Sequence, residues 1–178
     1  MGTQKQIFII QNILLGISVL GSYLLCLSLY PEESDNLWGG ITNEFANIFI
    51  MSMFISTIGY LSFLYVITFK LKLFESGISN IVISKLIYSC GIFLGSAATW
   101  MPLTITYLKT DQVLWWIFTI ISLWIVALAL SNMVRLLISI QVENYLTSFK
   151  KFAVIGLSYI TFHCLVFDAI LWVLMFHS

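Results

Sequence analysis

The chain has 178 residues, of which 60% are hydrophobic and 9% charged, with a mean hydropathy of +1.01. Soluble domains carry about a quarter charged residues, so eight Lys plus Arg and eight Asp plus Glu cannot cover a core of this length with a water-facing surface. With zero net charge and no run of more than two like charges, a nucleic-acid footprint is excluded as well, and lipid is left as the main surroundings.

A helix needs about 20 mainly apolar residues to cross the hydrocarbon, where an unpaired backbone group costs several kcal/mol. Five stretches reach that length, so the sequence predicts an all-α bundle of five transmembrane helices that takes up residues 1–178 as one membrane domain. The first span covers about 7–30. Lys5 precedes it as in a secretory signal, but the apolar run far exceeds the ~7 to 15 residues of a signal core and has no Ala-x-Ala site, so it is expected to be retained. Gln6 stands where a myristoylation signal has Ser or Thr. Pro31 and the acids Glu32, Glu33 and Asp35 end the span.

The second span, about 45–69, follows the turn-forming Gly39-Gly40 and closes at Lys70 and Lys72. The connector 71–84, broken by Glu75, Ser76, Gly77 and Asn80, is expected at the membrane interface. The third span, about 85–108, and the fourth, about 113–137, are joined only by Lys109-Thr110-Asp111 and one further residue, which predicts an antiparallel hairpin. Trp115-Trp116 open the fourth span at interfacial depth. The connector 141–151 leads to the fifth span, about 152–176. There is no internal repeat.

Lys5, Lys70, Lys72, Lys85, Arg135, Lys150 and Lys151 fall on one side of this layout and Lys109 alone on the other. The basic side is expected to be cytoplasmic, which puts the amino terminus in the cytoplasm and the carboxyl terminus on the opposite side.

Small residues let helices approach closely in lipid, so their stripes predict the packed faces. These are Gln11, Ser18 and Ser22 in the first span and Ser52, Ser56 and Gly59 in the second. Gly91, Gly95 and Thr99 mark the third, Ser131 and Arg135 the fourth, and Ser158, Thr161, Cys164 and Asp168 the fifth. Gly91 and Gly95 serve helix contact within the bundle or with membrane partners, including a second copy. Cys26, Cys90 and Cys164 have no CxxC spacing and read as small core residues.

Asp168 is the one acid inside a span, and a carboxylate there costs about 2.5 to 3.5 kcal/mol on insertion scales, which makes it a functional candidate. At about 1.5 Å per residue it lies about 5 Å beyond the midplane toward the carboxyl end. Similar arithmetic brings Ser22, Tyr23, Ser52, Trp100, Pro102, Thr119 and Ser122 to that half. Pro102 frees the carbonyl near Ala98, predicting a bend in the third span unless Thr99, Thr104 or Thr106 satisfies it. With no Lys or Arg at its depth, Asp168 has three roles open to it: a protonated carboxyl bonded to hydroxyls, a partner for a cationic ligand, or a proton relay. In an α-helix His163, five residues earlier, stands about 140° away around the axis, so no pair within the helix is expected. His177 is terminal, which leaves no two-histidine haem site.

No potassium-channel filter, arginine-rich voltage helix, phosphate loop, nucleophile elbow or His-Glu-x-x-His motif is present, and neither a cofactor nor a metal site is predicted. The length, the five spans, and Trp100-Met101-Pro102 followed by Trp124 in the next span resemble the tryptophan-rich sensory protein (translocator protein) family. The resemblance covers the third and fourth spans and implies a tetrapyrrole or sterol binder; that family's proline- and tryptophan-rich first loop has no counterpart in 31–44. From the residues themselves the favoured reading is a non-enzymatic bundle that binds or passes a small amphipathic or cationic molecule. Its cavity would be lined by Tyr23, Trp100, Pro102 and Asp168, with Ser52, Thr119 and Ser122 at similar depth. The alternatives are a structural subunit of a larger membrane complex and an intramembrane enzyme using His163 or Asp168, which needs a partner brought within about 3 Å by another helix.

Overall fold

The computed structural model describes residues 2–74 and 78–177. Five helices are long and apolar enough to cross a membrane: α1 (Gly2–Leu29), α2 (Asn43–Lys70), α3 (Asn80–Thr110), α4 (Val113–Ser139) and α5 (Asn144–Met175). No strand occurs among the described residues. The protein is an all-α transmembrane bundle.

Helix α1 packs along α3, α3 along α4, α4 along α5, and α5 along α2. The short α3–α4 connection gives the expected hairpin, and Asp111 ends α3 in the left-handed conformation (φ 52°), which a short polar side chain tolerates. Phe8 of α1 is buried against Phe74 (ring centroids 5.1 Å apart), beside the connector between α2 and α3. Phe176 lies against Gly39 of the first loop. The termini therefore sit at opposite ends of the bundle.

That connector departs from expectation. Leu71, Leu73 and Phe74 are buried and plug the bundle end, because three apolar side chains gain more inside than at a wet interface. Glu75, Ser76 and Gly77 lie outside the described residues. Helix α3 then begins at Asn80, five residues before the expected start, as Ile83 turns into the core. It also runs through Pro102 as one helix. The hydroxyls of Thr99, Thr104 and Thr106 donate to the carbonyls of Ser96, Trp100 and Pro102, each three or four residues back.

Several packed faces differ from the predicted stripes. The inward face of α1 is Phe8, Asn12, Leu15, Val19 and Cys26, whereas Ser18 is exposed and bonds its own helix. In α4, Ser131 and Arg135 are exposed, and Ala127, Leu130, Met133 and Leu137 face in. In both cases bulk apolar side chains fill the seam and the hydroxyl satisfies itself on its own helix. In α2, Ser52 and Ser56 are buried as expected, and Gly59 meets Gly156 of α5 backbone to backbone.

A Cβ built on Gly59 would lie 2.7 Å from the Gly156 carbonyl oxygen, and one on Gly156 would lie 2.5 Å from that of Gly59, whereas a Cβ on Gly95 meets nothing within 4 Å. Gly59→Ala should therefore wedge α2 from α5 and cost about 1–3 kcal/mol. Gly95→Ala should be neutral. Thermal unfolding in detergent checks this, and equal behaviour of the two variants would refute the assignment of the crossing.

Candidate functional site

Helix α5 changes character in its second half. From His163 to Trp172 it is π-helical, with bonds from residue i to i+5, so residues five apart stack on one face. His163 and Asp168 consequently meet, Nε2 to Oδ1 at 3.5 Å. This overturns the expected absence of a pair within the helix: the 140° separation assumed α-helical winding, and the wider π turn removes most of it.

The imidazole is held on its other side too. Its Nδ1 lies 2.9 Å from Ser52 Oγ on α2, and that hydroxyl is 3.3 Å from Tyr159 OH, one turn before His163. The ring also stacks on Phe167 (centroids 5.4 Å, interplanar angle 22°). His163 is thus fixed in position, and its side chain is 7% exposed against 32% for Asp168. The difference gives the two groups separate places: the imidazole is a wall component, and the carboxyl reaches open space. The Cys164 thiol lies one turn before Asp168, beside the carboxyl.

The open space is a cavity of about 350 Å³ between Asp168 and the first loop. All five helices line it. Helix α1 supplies Tyr23 and Leu27, α2 supplies Phe49, Ile50 and Met53, and α3 supplies Trp100 and Met101. Leu123 comes from α4, and His163, Asp168 and Trp172 come from α5. Ser34, Asp35, Leu37 and Trp38 of the loop close the end. The aromatic rings brace one another: Trp100 donates its Nε1–H to Tyr23 OH at 2.6 Å and packs edge-on against Trp172, centroids 5.6 Å apart.

The loop is fastened to the carboxyl end of α5. Trp172 Nε1–H donates to the Leu37 carbonyl at 3.0 Å, and the Gly40 N–H donates to the Met175 carbonyl at 3.2 Å. Gly39 takes φ 54° with the Phe176 backbone where a Cβ would stand, so only glycine fits there. Because α1 packs on α3 and α2 on α5, the exposed residues Leu27 and Met53 flank the cavity on the side between α1 and α2.

Of the residues expected around the cavity, Tyr23, Trp100 and Asp168 come together there. Ser52 lies behind His163. Thr119 and Ser122 are buried and donate to carbonyls of their own helix, those of Trp115 and Thr119, while the Ser122 carbonyl receives Ser96 Oγ of α3. Pro102 lines a different hollow between α1 and α3 with Cys26, Tyr30, Ile105, Thr106, Lys109 and Thr110. There Lys109 Nζ sits 3.9 Å above the Tyr30 ring. Gly91 is covered by Gln11, whose side-chain nitrogen donates to the Ile87 carbonyl. His163, Phe49, Trp38 and Trp172 escaped the sequence reading as lining residues. A histidine and an acid within two turns of one apolar span are the signal for the first of these, whatever their spacing.

Ser52, His163 and Asp168 supply the residue types of an acyl-transfer triad. However, Ser52 Oγ is buried between Nδ1 of the imidazole and Tyr159 OH, off the cavity, so a substrate there cannot reach it. Among the described residues no group of three His, Cys, Asp or Glu is arranged to hold a metal ion.

These features define a five-span helical membrane protein with an aromatic cavity onto which the acid of the fifth span opens. The chain matches no family model, no curated protein and no solved structure. The likeness of Trp100-Met101-Pro102 to the tryptophan-rich sensory proteins therefore rests on those residues alone.

If the π turns bring His163 against Asp168, Asp168→Asn should shift the ring-nitrogen resonances of His163 in detergent-solubilised protein and leave those of His177 in place. Unmoved His163 resonances would mean that the two side chains are apart.

Proposed function

We propose that the protein binds a small amphipathic organic cation in this cavity, with the charge at Asp168 and the apolar body among Trp100, Trp172, Phe49 and Tyr23. The observation that carries the reading is a carboxyl opening into aromatic walls with no Lys or Arg lining them among the described residues. An anion there would meet a carboxylate and ring faces, both negative, whereas a cation gains from both. The volume is at the lower end of small-molecule pockets and suits a ligand of one ring and a short charged substituent.

The cavity is capped by the loop held on α5, and by this reading the flank where Leu27 and Met53 are exposed is turned to lipid. An amphipathic cation already partitioned into the membrane enters from that flank. By this reading the basic end of the bundle lies in the cytoplasm, because Lys and Arg are retained on that side during insertion, and the cavity belongs to the opposite half. Tags on the amino and carboxyl termini should accordingly be reached from opposite compartments, the amino-terminal one from the cytoplasm. Reaching both from one side would refute the orientation.

Benzyltrimethylammonium is a suitable probe, since it joins one ring to a permanent charge. It should quench tryptophan fluorescence saturably on binding. Asp168→Asn should abolish that response while the protein still inserts and melts cooperatively. Trp100→Leu should weaken binding roughly tenfold through loss of a cation–π wall. Unaltered binding by Asp168→Asn would end the proposal.

A further inference from the structure

Asp168 does not face the ligand alone, because its carboxyl is already engaged by the edge of an imidazole. His163 presents Nε2 to the carboxyl and Nδ1 to Ser52, so in its charged form both N–H groups have acceptors, and in its neutral form the Nδ1–H still has the Ser52 oxygen. The geometry points to cation–proton exchange at this pair: an organic cation arriving at Asp168 takes over the carboxylate and expels the proton held at His163 Nε2.

This rests on the reading of the cavity as a cation site and adds how occupancy is coupled to pH. In the proposed exchange the starting pair is a carboxylate facing an imidazolium, neutral in sum. With a permanent cation at the carboxylate, a charged imidazole would leave one unmatched positive charge among Phe167, Trp172 and Leu123, where desolvation opposes it. Loss of one proton from Nε2 restores the balance: one cation enters, one proton leaves, and Nδ1–H stays donated to Ser52 Oγ.

Among the described residues, the groups that face the pair come from every element packed against it. Helix α1 offers the Tyr23 phenol, already accepting from Trp100. Helix α2 offers the Ser52 hydroxyl, α3 the Trp100 indole, and α4 only Leu123. From α5 come the Cys164 thiol and, through Ser52, the Tyr159 phenol. The loop supplies Asp35, exposed at the mouth. Among the described residues no lysine or arginine lines the space.

The test is to titrate benzyltrimethylammonium into the full chain in weakly buffered detergent, following tryptophan quenching and the pH of the solution together. Because the probe carries no exchangeable proton, any proton released comes from the protein. About one proton should appear per cation bound, and Kd should fall about tenfold per pH unit over a window within the pH 5 to 8 range where imidazole titrates. In His163→Gln, Kd should lose its pH dependence and proton release should vanish. Saturable binding by the wild type with no proton released would overturn the exchange and leave the cation site standing; no binding at all would overturn both. Undiminished release from His163→Gln would assign the proton to another group and refute the proposal. Should that variant misfold, the ring-nitrogen resonances of His163 in the wild-type chain decide: they should move from the charged to the neutral position as the probe saturates, and unmoved resonances would refute the proposal.

Discussion

Inside hydrocarbon a polar side chain has no water to turn to, so it must find its partner within the protein, and the partner it finds fixes a helix. The bundle is registered by a small number of such bonds. Gln11 donates to the Ile87 carbonyl and Tyr60 OH to Asn12 Oδ1, so α1 is tied to α3 and α2 toward the basic end. Asn132 donates to Ser89 Oγ at 2.8 Å, and Ser96 to the Ser122 carbonyl, so α3 and α4 are tied at two levels. Ser52 and His163 bind α2 to α5. Apolar packing alone would leave these helices free to slide, since lipid tails offer a leucine the same contacts as another helix does.

The distribution of these ties explains where the cavity forms. Near the basic end Asn12, Tyr60 and Cys90 meet from three helices, with Tyr60 OH 3.0 Å from the thiol, and Phe8, Phe63 and Phe74 fill the surrounding space. Toward the other end α1 leans on α3 through Tyr23 and Trp100, while α2 stays with α5 through Ser52 and Phe49, whose ring meets Phe167 at 4.9 Å. The two helices part there. The gap is lined by large rings that brace one another edge to face, and such an arrangement holds its shape without filling its centre.

The five spans, their order and the α3–α4 hairpin were legible because a run of apolar residues in a chain with so few charges has one stable setting. Asp168 stands out in the sequence for the same reason, and it lines the cavity. The inward faces were less so. A serine or threonine reads as a contact residue, yet Ser18 and Ser131 bond the carbonyl four residues back and face outward, because a hydroxyl can satisfy itself on its own helix. Pro102 is expected to line the cavity with Trp100, but two positions along a helix turn a side chain to another side, and it opens on the hollow near Lys109. The burial of Leu71, Leu73 and Phe74 depended on where the chain turns after α2, which periodicity does not encode.

The π-helical stretch is the feature no propensity marks, and the choice between windings is settled by what each does with the polar groups. In an α-helix Cys164, Asp168 and Trp172 would share a stripe at four-residue spacing, and His163 would stand well to one side of it. With His163 held toward α2 by Ser52, Asp168 would then lose its imidazole. With Asp168 held toward the cavity, His163 would lose Ser52 and leave two buried nitrogens to satisfy. Widening the turn removes the conflict: Ser52, His163 and Asp168 fall in line from the α2 seam to the cavity, and Trp172 still reaches the Leu37 carbonyl to hold the loop. The looser winding weakens backbone geometry over ten residues. It persists because a stranded carboxyl or imidazole in a lipid-surrounded core costs more than several imperfect helical bonds.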